Sequence, residues 1–66
     1  MTEPTLADRL EAIMEARGWN KPDLAYNIGV SLPTIYKWMA GDEPRFIYLE
    51  KIERIERSIA RKVREG

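Results

Sequence analysis

Apolar residues recur along this chain at the three- and four-residue spacing of amphipathic helices, in four blocks separated by glycine and proline. The blocks predict helices at about 6–17, 21–28, 32–40 and 44–64. No block alternates with the period of two that is typical of a strand. The pattern therefore predicts an all-α protein in which residues 1–66 form a single domain and the last helix is much the longest.

Polar residues mark where the first three helices begin. Thr5 with Asp8, and Asn20 with Asp23, have the spacing of capping boxes, and Ser31 is placed as the cap of the third helix. A glycine follows each of these helices, as is common where the backbone must turn left-handed. Residues close to each helix end therefore predict where the first three helices begin and end.

The apolar stripes assign a core and leave one helix face free. We expect Trp19, Trp38 and Phe46 to be core residues or members of hydrophobic staples at helix ends. In the third helix, Ile35 and Trp38 fall on one side at 100° per residue, and Tyr36 falls on the other. A large aromatic side chain opposite the buried side indicates a contact surface.

Composition excludes several classes of function. The chain has neither cysteine nor histidine, which removes disulfides, thiolate metal sites and the commonest general base. No catalytic constellation stands out, so we expect no enzyme, no cofactor and no small-molecule ligand. The first residues do not form a signal peptide, and no apolar run is long enough to span a membrane. A cytoplasmic location is the simplest expectation.

The net charge is zero, with 11 basic and 11 acidic residues. A nucleic-acid-binding domain is usually basic, so the total is mildly unfavourable to that function. The charges are unevenly spread, however: residues 1–16 are mainly acidic and residues 51–66 mainly basic. A local basic patch matters more for binding than the sum.

The segment 20–41 predicts two short helices joined by a tight turn at Gly29. The second of them keeps a polar and aromatic face free. This is the layout of a helix-turn-helix, a motif that usually places its second helix in the major groove of DNA.

Residues 6 to about 55 resemble the Cro/CI-type helix-turn-helix family of phage and bacterial repressors, which has a compact four-helix, lambda-repressor-like fold. No single dipeptide is specific, but an ordered set matches the spacing of the family. It comprises Leu24-Ala25, Gly29-Val30-Ser31, Thr34-Ile35, Trp38, Gly41, Pro44-Arg45-Phe46 and Leu49.

The resemblance implies a double-stranded DNA partner and a set of contact residues. In the family, the start of the second helix and the loop before the fourth helix bind phosphates, and the third helix reads bases. Carried over, the phosphate contacts are Lys21 and Arg45. The recognition surface comprises Ser31, Leu32, Pro33, Thr34, Tyr36 and Lys37.

Three departures from the family bear on this interpretation. Many members pair an arginine with a glutamate where this chain has Met14 and Met39, which an apolar contact can replace. Leu32 and Pro33 stand where polar readers are usual, and they can only touch thymine methyls or sugars. The loop at 42–43 is acidic, which disfavours phosphate binding.

The fourth helix carries an apolar band that continues past the expected end of a four-helix domain. We expect it to form a homodimer interface through Ile52, Ile55, Ile59 and Val63. A dimer would set two recognition helices about one turn of DNA apart. The alternatives are a tail that folds back on the first helix and a tail that frays.

The sequence thus predicts a small DNA-binding transcriptional regulator, such as a Cro-like protein or a repressor. The alternative is a protein-interaction module on the same fold, such as an antitoxin-like partner or an anti-repressor, which the zero charge and the acidic loop favour. An excisionase- or MerR-like architecture is disfavoured because it needs a β-wing after the motif, where this chain predicts a helix.

Overall fold

The computed structural model describes the backbone of residues 3–65 and the side chains of residues 3–61. Helix α1 spans Leu6–Arg17, α2 spans Lys21–Ile28, α3 spans Leu32–Met39 and α4 spans Phe46–Glu65. The backbone of this range contains no strand. The predicted all-α fold class is confirmed. None of these helices is both long enough and apolar enough to cross a membrane.

Both predicted capping boxes are present. The Thr5 hydroxyl accepts a hydrogen bond from the Asp8 backbone N–H at 3.1 Å, and the Asp8 carboxylate accepts one from the Thr5 N–H at 3.2 Å. Asn20 and Asp23 exchange equivalent bonds of 2.9 and 3.3 Å. These side chains satisfy backbone donors that have no partner within their helices.

The start of α3 differs from the expected side-chain cap. Ser31 has the extended backbone of an N-cap residue, but its side chain caps no backbone N–H. Its hydroxyl lies 2.9 Å from the Thr34 hydroxyl instead. The first turn is closed by the Ser31 carbonyl, which accepts from the N–H groups of Thr34 and Ile35.

Helix α3 ends at Met39, one residue earlier than expected. The Gly41 N–H donates to the Trp38 carbonyl at 3.2 Å, and the Asp42 N–H donates to the Lys37 carbonyl at 3.0 Å. This is a Schellman arrangement, and Gly41 occupies its left-handed position with φ of 119°. The chain therefore leaves the helix sharply and enters the loop that leads to α4.

The core draws on all four helices. Because each helix contributes its apolar stripe, the buried side chains meet at the centre of the domain. They are Leu10 and Ile13 from α1, Leu24, Ala25 and Ile28 from α2, Ile35 and Trp38 from α3, and Ile52 from α4. Trp19, Met14 and Met39 pack against this cluster while remaining partly exposed.

The expectation that Phe46 belongs to the core is wrong. Its side chain is 74% exposed, whereas Ile52 is fully buried. At 100° per residue, Phe46 points roughly 120° away from Ile52 around the axis of α4. Tyr48 faces the core instead, and its ring centroid lies 5.8 Å from that of Trp38.

The burial of Ile52 also corrects the expected dimer interface. Because this side chain has no exposed surface, it cannot contact a second copy of the chain. Ile55 and Ile59 are half-buried and pack against the core. Val63 lies outside the residues whose side chains are described.

Side-chain hydrogen bonds connect the middle of α4 to α1. The Arg9 guanidinium donates to both carboxylate oxygens of Glu56, at 2.6 and 3.0 Å, and Arg17 donates to the Ser58 hydroxyl at 2.6 Å. The hydrogen bond with Glu56 raises the pKa of Arg9 against an opposing effect of burial. Since the pKa of Arg9 is raised, the stability that its protonation contributes is fully present at neutral pH and is lost as the pH rises through that raised pKa. Up to Ile59, α4 therefore folds back on the domain.

Candidate nucleic-acid interface

Helices α2 and α3 are joined by a tight turn at Gly29. The N–H groups of Gly29 and Val30 both donate to the Ala25 carbonyl, at 2.8 and 3.0 Å. Gly29 has φ of 91°, a conformation that is costly for any residue with a Cβ atom. The Lys51 ammonium of α4 donates to the Ile28 carbonyl at 3.3 Å. This contact fixes the turn to the body of the domain.

Burial determines which face of α3 is free. Ile35 is fully buried and Trp38 is 4% exposed, so these two residues anchor the helix to the core. Tyr36 is 53% exposed and Lys37 is exposed as well. The outer face of α3 thus presents an aromatic ring and a cation on a helix whose other side is fixed.

The predicted contact residues fall at three places in the structure. Of those on α3 and its cap, Ser31, Pro33, Tyr36 and Lys37 are exposed, and Leu32 and Thr34 are half-buried. Lys21 is the first residue of α2 and is half-buried, and Arg45 is exposed immediately before α4. At 100° per residue, Pro33, Tyr36 and Lys37 share the outer face of α3, and Lys21 and Arg45 flank the motif in sequence.

Proline residues reduce the number of backbone N–H donors at the starts of α2 and α3. Pro22 and Pro33 occupy first-turn positions of α2 and α3 and lack an N–H. The Asp23 N–H already donates to its cap, and the Thr34 N–H donates to the Ser31 carbonyl. Each helix start consequently offers fewer backbone donors to an anion than an ordinary helix start does.

Charges around this surface are mixed. Lys37 and Arg45 are exposed cations, while Asp42 and Glu43 are exposed acids in the loop between them. Asp23, in the first turn of α2, is a further exposed acid, and its carboxylate accepts the Asn20 N–H in the capping box. The attraction for a polyanion is therefore local and comes from a few basic side chains.

Among residues 3–61, three large apolar or aromatic side chains are exposed outside the predicted contact set. Tyr26 on α2 is 86% exposed, and Phe46 and Ile47 at the start of α4 are 74% and 55% exposed. The helical period could have identified the last two, because both point more than 100° away from Ile52. The role of Lys51 could not be read from sequence, since its partner Ile28 lies 23 positions away.

Two helices at a tight turn, with the second helix anchored on one side and exposed on the other, define a helix-turn-helix domain. Residues 9–58 match the family model of the Cro/C1-type HTH DNA-binding domain, and the chain belongs to this family. The match begins within α1 and ends within α4, so it includes the whole motif. The resemblance inferred from the sequence is confirmed. No match was found to a curated protein or to a solved structure.

Proposed function

We propose that this protein is a sequence-specific transcriptional regulator, a Cro-like protein or repressor of phage or bacterial origin that works in the bacterial cytoplasm. It binds an operator by placing α3 in the major groove. The observation that carries the proposal is the division of α3 into a buried side, with Ile35 fully covered, and an exposed side, with Tyr36 and Lys37 free. A helix held in this way can enter a groove without disturbing the core.

Phosphate contacts fix the register of the domain on the duplex. Lys21 lies at the start of α2 and Arg45 immediately before α4, so the two cations bracket the motif in sequence. Such contacts position the protein and supply salt-sensitive affinity without reading the bases.

Base readout falls to the outer face of α3. The Lys37 ammonium suits the acceptor atoms of guanine, and the hydroxyls of Tyr36, Ser31 and Thr34 can donate or accept. Leu32 and Pro33 offer only apolar contact, which suits thymine methyl groups. Because few polar side chains are available to hydrogen-bond with base edges, DNA shape contributes to the choice of operator.

A homodimer forms part of the proposal. Ile55 and Ile59 remain half-exposed on α4 and, with Val63, are the remaining members of the expected interface. Two-fold pairing would place two copies of α3 on a near-palindromic site. It would also double the number of basic contacts made by a chain of zero net charge.

The regulator acts by occupying the operator and blocking polymerase. Control then comes from protein concentration and from the monomer–dimer equilibrium, which mass action couples to operator occupancy.

The test is an anisotropy titration of the protein on random duplex DNA at low and near-physiological salt. We expect binding that weakens steeply with salt, because each neutralised phosphate releases counterions. Selection from a random library should then enrich a near-palindromic site. Absence of binding at low salt would refute the proposal.

A second candidate is a protein-interaction module on the same fold. Phe46 and Ile47 favour it, because these adjacent apolar side chains are 74% and 55% exposed. A stable complex with another protein, together with no DNA affinity at low salt, would support this candidate over the regulator.

A further inference from the structure

A groove of about 590 Å³ runs between the start of α1 and the loop that connects α3 to α4. Its walls are largely apolar and include Leu6, Trp38, Met39, Pro44 and Leu49. This size lies within the range of sites that hold small organic molecules. The DNA-binding function proposed above makes no use of it.

The rim of the groove is negative along one edge. Asp42 and Glu43 line it and are exposed, and within residues 3–61 neither forms an ion pair. The C-terminal end of α3 reaches the same edge through Met39 and Ala40, and the carboxyl end of a helix carries partial negative charge.

The opposite wall does not cancel this charge. Arg9 lines the groove, but both oxygens of the Glu56 carboxylate already accept hydrogen bonds from it. The positive end of α1 at this wall is offset by the Asp8 carboxylate in its capping box. The groove therefore combines an apolar floor with an unneutralised acidic edge.

We infer that this groove is a binding site for a small amphipathic cation, a molecule with an aromatic or aliphatic body and one ammonium group. The body lies against Trp38 and Leu49, and the ammonium lies at Asp42 and Glu43. The acidic side chains of this loop, which oppose phosphate binding, thus serve to bind the ammonium group of the ligand.

Occupancy of the groove is coupled to DNA binding through the loop that forms its edge. Pro44 lines the groove, and the next residue is the exposed Arg45, a proposed phosphate contact. A ligand that shifts the loop would move this guanidinium. The regulatory consequence rests on the proposed DNA-binding function, whereas the binding site does not.

Three probes with nearly the same body test the site: phenethylammonium, the neutral 2-phenylethanol and the anionic 3-phenylpropionate. In amide and indole NMR spectra, phenethylammonium should shift Leu6, Leu49 and the indole of Trp38. The indole of Trp19, which does not line the groove, serves as an internal control. Phenethylammonium should bind about fivefold more tightly than the anion.

Charge-neutralising variants locate the ammonium. Combining Asp42→Asn with Glu43→Gln should abolish the preference for phenethylammonium. The matched control combines Glu11→Gln with Glu15→Gln, which remove the same charge from exposed positions on α1 outside the groove, and it should retain the preference. Equal binding of the three probes, shifts outside the groove, or no shifts would overturn the site.

The regulatory consequence is measured on DNA at constant ionic strength. Phenethylammonium should change the affinity for random duplex DNA severalfold in the parent and not in the Asp42/Glu43 variant, and methylammonium should have no such effect. Unchanged DNA affinity with a filled groove would overturn the coupling alone. Groove binding without any DNA affinity would overturn the proposed function and leave the site standing.

Discussion

Arg9 on α1 and Glu56 on α4 form a two-point ion pair across 47 positions of sequence, with N···O distances of 2.6 and 3.0 Å. Their side chains are 29% and 32% exposed, so the pair is partly shielded from solvent. A planar guanidinium facing a carboxylate in this way gives directional hydrogen bonds as well as attraction. The pair therefore helps to set how α4 crosses α1.

Removing this ion pair should lower the free energy of unfolding. We expect a coupling energy of about 1 kcal/mol between Arg9→Met and Glu56→Gln in a double-mutant cycle measured by urea denaturation. The exposed pair Glu53–Arg57, at 3.8 Å, provides the control cycle and should show a coupling close to zero. Equal coupling in the two cycles would mean that partial burial gives Arg9–Glu56 no advantage.

Gly29→Ala should destabilise the domain by about 1–2 kcal/mol. The reason is the φ of 91° at this position; the nearest atom to an added Cβ is the flexible end of Lys51 at 3.4 Å, which can move. Asn tolerates left-handed backbone better than Ala does, so Gly29→Asn should cost less. Thermal or urea unfolding of the two variants checks the order, and a less stable Asn variant would point to crowding at Lys51 rather than backbone strain.

Lys37→Ala and Lys21→Ala should weaken DNA binding in different ways. Loss of Lys37 should relax the preference for one or two base pairs, because its side chain lies on the outer face of α3. Loss of Lys21 should weaken binding to all sequences alike and reduce the salt slope by about one. Anisotropy titrations with an operator and with random duplex distinguish the two effects.

The control for both lysines is Arg57→Ala, which removes an exposed cation from α4 beside Glu53. It should leave base preference unchanged. If all three variants bound DNA as the parent does, the proposed recognition face would be wrong.

Ile52→Ala should cost about 2–5 kcal/mol in unfolding free energy, the usual range for emptying a core site. The side chain is fully buried beside the residues that anchor α3. Because the effect arises within one chain, the loss should not depend on protein concentration. A loss that disappears at high concentration would instead indicate that Ile52 contributes to an interface.

Ile59→Glu should shift the proposed dimer to monomer in sedimentation velocity over a range of concentrations. Ile59 is half-buried, so circular dichroism must first show that the variant remains helical. The milder Ile59→Ala should weaken association in the same direction. A dimer that persists in both variants would place the interface elsewhere.

Local chemistry predicted the parts of the fold that depend on near neighbours. Thr5 with Asp8 and Asn20 with Asp23 form their boxes because cap and partner are three residues apart in the chain. Ser31 had the correct position for a cap, yet its hydroxyl bonds to the Thr34 side chain. A hydroxyl neighbour competed with the backbone N–H, and spacing rules do not weigh that competition.

Tertiary relationships were harder to predict. Phe46 was expected to be a core residue or a helix-end staple, although the period of α4 anchored at Ile52 turns it outward. Ile52 was assigned to an interface because an apolar band alone does not show which part of it the chain itself covers. The partners Arg9 and Glu56 lie too far apart in sequence for any pattern to join them.

Helix α4 has consequences for how the domain opens. Its 20 residues span about 30 Å, close to the longest dimension of the molecule, 34 Å. Along that length it bonds to the turn through Lys51 and to α1 through Glu56 and Ser58. Between Lys51 and Ser58 this helix is thus bonded both to α1 and to the turn between α2 and α3. We therefore expect the most protected amide hydrogens of the packed helices to exchange through one common opening of the domain.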